Sequence, residues 1–141
     1  MLEDEYDREF VKPIGLPGAQ LRVGYSRDRA EVTAFVVQLE TRLESQGEWV
    51  EVVRSDHSTS AGGHDVTREG VHLDVYRGSE KVDTEQLTGP VPVDVAFDEA
   101  EERITDDAER YVERYREWHK NDRNPDRDRK GGSDRPNGPS G

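Results

Sequence analysis

Cysteine is absent from the sequence, which excludes disulfide staples, thiolate metal sites and cysteine nucleophiles. No apolar run approaches the ~20 residues that a bilayer-crossing helix needs, and no signal-peptide pattern opens the chain. The expectation is a soluble, cytoplasmic protein without a membrane partner. Lysine is scarce: Lys12, Lys81, Lys120 and Lys130 stand against 16 arginines. Hydrophobic residues make up only 30% of the 141, so a single domain with a modest core is expected.

Positive charge is short as well. The chain has 32 acidic and 20 basic residues, a formal net charge of −12, and residues 18–120 carry −10 of it. The acidity therefore belongs to the folded part. Abundant Asp and Glu with little Lys is the composition of proteins that work in concentrated salt, where the Debye length falls to ~3 Å and self-repulsion is screened. A high-salt cytoplasm is the expected setting. The same acidity disfavours RNA or DNA as a partner held by bulk charge, though it leaves room for a local basic site.

What is present is organised around Trp49 to Arg77, which holds three of the four histidines and a Gly-Gly pair. Val71, Leu73 and Val75 alternate with His72, Asp74 and Tyr76. A strand sends successive side chains to opposite faces, so the two sets lie on opposite sides of a sheet. Residues 48–54 read as a second strand, rich in aromatic and β-branched types. Leu21, Val23 and Tyr25 mark another, and Glu31 to Leu43 a fourth, apolar on both faces and hence central. Short turns between neighbours favour an antiparallel meander.

Residues 13–18, PIGLPG, and the prolines at 90 and 92 break regular structure. Residues 82–93 therefore read as irregular. A helix capped by Asp98 follows, with Ile104, Ala108, Tyr111, Val112, Tyr115 and Trp118 in one stripe. The expected fold is α+β: an antiparallel four-stranded meander sheet packed by one long C-terminal amphipathic helix, with disordered tails. Residues 1–18 form a flexible N-terminal arm, 19–119 the domain, and 120–141 a disordered polar tail with no apolar side chain. The stripe Tyr111, Tyr115, Trp118 has two readings, core packing or a partner-binding face.

Candidate site residues are Arg54, Asp56, His57, His64 and His72, with Asp74 beside them. If the strands on either side of the loop pair, these groups converge near one sheet border. Histidine with carboxylate can move a proton or hold a metal. A divalent metal at His64, His72 and Asp74 is one such arrangement, but the spacing matches no metal motif, so no cofactor is expected. Solvated loop histidines are the plainer reading.

The runs VVRSDHS, GGHDV and GVHLDVYRGSEK, with a helix ending ERYREWH, resemble a group of small uncharacterised proteins common in haloarchaea. More distantly, the pattern is similar to TumE-type components of toxin–antitoxin systems. That resemblance covers residues 20–120. It implies Arg54, Asp56, His57, His64 and His72 as the positions of a toxin-like ribonuclease site, with Ser55 standing where an aromatic is expected. Three functions follow as expectations. The first is a non-catalytic interaction or regulatory module of toxin–antitoxin type with a protein partner. The second is a ribonuclease using two histidines and a phosphate-holding arginine. The third is a metal-dependent enzyme with a His/Asp site.

Overall fold

A computed structural model describes residues 6–60 and 63–123. Six strands pair in chain order into one antiparallel sheet: β1 (Arg8–Pro13), β2 (Ala19–Asp28), β3 (Glu31–Arg42), β4 (Trp49–His57), β5 (His72–Arg77) and β6 (Glu80–Gln86). A single helical turn, α1 (Val66–Glu69), lies between β4 and β5, and α2 (Val93–Asp106) and α3 (Ala108–Arg123) follow the sheet. No helix among the described residues is long and apolar enough to cross a membrane.

This overturns the four-stranded sheet closed by one long helix. Two edge strands were missed because neither carries the pattern that buries a face. β6 reads EKVDTEQ and is almost wholly exposed. An edge strand needs one neighbour and no apolar alternation, and charge on it discourages further pairing. Its hairpin to β5 turns through Gly78 and Ser79, both at positive φ, the backbone of a two-residue turn matched to strand twist. β1 lies within the expected flexible arm and runs into the first of the PIGLPG breakers. It ends at Pro13, tolerable because an edge residue has an N–H to spare.

The helix was wrong at its start and in its continuity. It begins at Val93 behind Pro92, not at Asp98. Asp94 Oδ1 instead accepts from Val32 N at 3.3 Å and pins the first turn to β3. At Asp107 (φ −102°, ψ 9°) the path leaves helical geometry and restarts. A continuous helix of this length would run straight for ~45 Å, whereas the sheet beneath it twists by ~20° per strand. The break lets α2 lie against β3 while α3 lies against β4 and β5. Of the expected polar tail, 120–141, residues 120–123 belong to α3 instead, and the remainder lies outside the described residues.

The core lies on the helix side of the sheet. Leu21, Val23, Phe35, Val37, Leu39, Val53, Leu73 and Val75 meet Ala96, Ala100, Ile104 and Tyr111 there. Fully burying one such aliphatic side chain stabilises the fold by roughly 1.5–3 kcal/mol. Among the described residues α2 and α3 pack on this face, and the alternate residues of the strands stand on the opposite one.

Candidate functional site

On that open face the register sets side chains in rows. Arg22 pairs with Gln38, Gln38 with Arg54, Arg54 with Asp74, and Asp74 with Thr84, which is one line across five strands. Asp56 and His72 are the alternate residues next to Arg54 and Asp74 on the same face. Two hollows of about 520 Å³ each open there and share Arg54, Asp56 and Asp74 as their common wall.

Arg54 is half-buried, and its Nε donates to Asp56 Oδ2 at 3.0 Å. Burial opposes the charged guanidinium, but the adjoining Asp56 carboxylate outweighs it and holds the group above its usual value. Glu40, buried on the neighbouring strand, accepts from Arg22 Nε at 2.9 Å and Gln20 Nε2 at 2.8 Å. The charges of this face are thus positioned by the sheet.

The second hollow holds the histidines. His64 and His72 touch, with ring centroids 3.7 Å apart and planes inclined at 48°. The Nε2–H of His64 donates to Gly70 O at 2.7 Å, and its Nδ1 lies 3.1 Å from Glu69 Oε1. Gly70 is essential to that anchor. Its φ is +80°, and a Cβ there would lie 2.2 Å from Thr88 O, so only glycine fits. Burial, followed by the proximity of His64, holds the His72 imidazole below its ordinary value. Its Nε2 is 3.7 Å from Asp74 Oδ1, an electrostatic contact beyond hydrogen-bond range. Tyr6 reaches the same hollow, and its ring passes over Gly24, where a Cβ would come within 2.9 Å of it.

His57 is not part of this cluster. It is 2% exposed and lies on the core side, stacked on Phe35 at 6.0 Å. Val66 N donates to its Nδ1 at 3.1 Å. That bond occupies the Nδ1 lone pair and requires the neutral ring, and burial likewise lowers its pKa. Asp65, 3.8 Å from the same nitrogen, opposes this but does not overcome the burial. The period of two along β4 already separates the parities: Arg54 and Asp56 fall on one face, Ser55 and His57 on the other.

Tyr111 and Tyr115 are buried in the core, and Trp118 is half-buried between Arg77 and Arg114 at 5.2 and 5.0 Å. The Tyr111 hydroxyl donates to Glu85 Oε1 at 3.0 Å. Burial and that carboxylate push its pKa up to about 12. The stripe is chiefly core. Among the described residues, no group of three or more His, Asp or Glu comes together as a metal-ligand set, His64, His72 and Asp74 included.

Sequence reasoning missed Gln38, Glu40 and Glu51 on the open face. A signal for the first two was present. β3 is apolar from Ala34 to Val37 and then places Gln38 and Glu40 alternately with Leu39, which marks a polar face beginning midway along a central strand.

Residues 1–121 match a family described as a domain of unknown function, DUF7718, and the chain belongs to that family. No curated protein and no solved structure matches it.

Proposed function

We propose that this protein is a non-catalytic interaction module that takes a protein partner on the open face of its sheet. One observation supports this above the others. Among the described residues α2 and α3 pack against one side of the sheet, with Tyr115 of α3 reaching the wall of the first hollow, and the other side keeps polar groups whose charges are already held in place by ion pairs across and along the strands. Groups fixed before a partner arrives lose less freedom on binding. A regulatory partner of toxin–antitoxin type is the specific form suggested by the sequence resemblance. A salty cytoplasm suits the charge of −12.

Capture by the tagged full chain from a lysate of its source, at molar salt, tests the reading. Lys81→Glu on the open face, at an exposed position, abolishes capture. Val95→Lys on the exposed side of α2 leaves it intact. A monomer that captures nothing, or capture indifferent to Lys81→Glu, rejects the proposal.

One contact favours a second reading, a toxin-like ribonuclease. His64 and His72 touch in the same hollow as Arg54, and a neutral His72 suits a general base toward a ribose hydroxyl. In this reading an RNA oligonucleotide is cut by the wild-type chain, and cutting is lost in His64→Ala and in His72→Ala. Cleavage that survives both changes rejects those groups as the catalysts.

A further inference from the structure

His57 closes β4, and the N–H that its Nδ1 accepts belongs to Val66, the first residue of α1. Val66 is fully buried, so that donor has no water to turn to. The next donor of the turn goes to Asp65, whose Oδ1 accepts from Thr67 N at 2.9 Å and from Thr67 Oγ1 at 2.6 Å. Two acceptors thus hold successive N–H groups of one short turn, and His57 Nδ1 and Asp65 Oδ1 lie 3.8 Å apart. One of them can become a donor. An imidazole protonated at Nδ1 donates through both nitrogens and can no longer receive the Val66 N–H. The Asp65 carboxylate then stands only about 1 Å too far for a charge-assisted hydrogen bond.

The other end of α1 faces the second hollow. There Glu69 and Gly70 engage both ring nitrogens of His64. The turn between is tied to itself: Arg68 N and Glu69 N donate to Asp65 O, and Gly70 N to Val66 O at 3.0 Å. A shift at Val66 is therefore carried to Glu69 and Gly70. The ionisable groups acting on His57 are Asp65 and His64 from the loop and Asp56 on its own strand. β3 presents the Phe35 ring to it, and among the described residues its ion-pair contact is Asp65 alone. Burial is the largest influence and disfavours the cation. The turn is therefore closed above pH 6.5, the ordinary imidazole value, and opens only as pH falls through the lower folded value of His57.

We propose that His57, Asp65 and α1 form an acid-operated switch, in which a proton taken from solvent at His57 Nδ1 exchanges the Val66 N–H for the Asp65 carboxylate and, through α1, releases His64 from its seat against His72. The switch is independent of what the open face recognises.

A pH titration of the 15N-labelled full chain at constant molar potassium chloride tests it. It runs from pH 7.5 down to the onset of acid unfolding, which the amide of fully buried Val37 on β3 reports. The Val66 and Thr67 amides and the His64 ring nitrogens shift together at the His57 midpoint, while the Val37 amide stays in place. Across that midpoint, exchange of the Val66 N–H relative to its intrinsic rate speeds up at least about tenfold. His57→Gln offers Val66 an acceptor that does not titrate, so the Val66 and Thr67 steps vanish and His64 loses its shift at that midpoint. Asp65→Asn, at a part-exposed position, keeps a cap for Thr67 but lowers the His57 midpoint and uncouples the Thr67 amide from it; this variant decides the matter if His57→Gln does not fold. A Val66 amide that stays put while His57 titrates, a His57 ring that remains neutral until the sheet unfolds, a His64 response unchanged in His57→Gln, or a His57 midpoint unchanged in Asp65→Asn overturns the inference.

Discussion

His57 shows how one hydrogen bond assigns a histidine to structure. Its Nδ1 accepts from a buried backbone N–H, so the imidazolium cannot form without breaking that bond. His72 is disfavoured as a cation by burial as well. Both rings therefore have folded pKa values below the unfolded 6.5, and the unfolded chain binds protons first as pH drops. Their contribution to stability is complete above pH 6.5 and is lost as pH falls below it toward the folded values. Urea unfolding midpoints should fall between pH 7.5 and 5.5. His57→Leu should flatten that dependence and cost about 1–3 kcal/mol at pH 7.5, by stranding the Val66 N–H. A midpoint independent of pH in the wild-type chain would contradict this account.

At the scale of elements, legibility followed burial. Strands with one face in the core showed alternation, as β2 and β5 do, and the central β3 was marked by apolar residues on both faces. β1 and β6 bury little, so hydrophobicity had no reason to mark them. The short segment between α1 and β5 is the most constrained connection. Gly70 there combines a left-handed φ, a Cβ position occupied by Thr88 O, and a carbonyl that anchors His64. Gly70→Ala should destabilise the fold by at least about 2 kcal/mol, the sum of backbone strain and steric conflict. Thermal unfolding measures the loss, and the His64 ring resonances should shift with it. Gly78→Ala is the comparison: its φ is +58° but nothing lies within 4 Å of a Cβ there, so its cost should stay near 1 kcal/mol.

For the molecule as a whole, charge is the dominant variable. A formal −12 on 141 residues repels itself in the compact state, and salt screens that repulsion, with a Debye length near 10 Å at 0.1 M and 3 Å at 1 M. Raising sodium chloride from 0.1 to 1 M should raise the melting temperature, and potassium chloride should act alike because screening depends on ionic strength. Ion pairs at the surface, such as Arg77 with Asp122 at 2.8 Å, weaken with salt but contribute little at such exposure. A melting temperature that falls with salt would show that pairing outweighs repulsion here.

The sequence alone determined what depends on the parity and period of neighbouring residues. This includes the inner strands, the buried stripe from Ile104 to Tyr115 and the total charge. Only the tertiary structure decided which distant groups meet. It brought a loop histidine onto His72, paired Glu40 with Arg22, and broke the C-terminal helix at Asp107 to follow the twisted sheet. Side-chain parity is set by local backbone geometry and can be read in a few consecutive residues. Convergence across strands depends on register and on what covers each face, and those are properties of the packed chain.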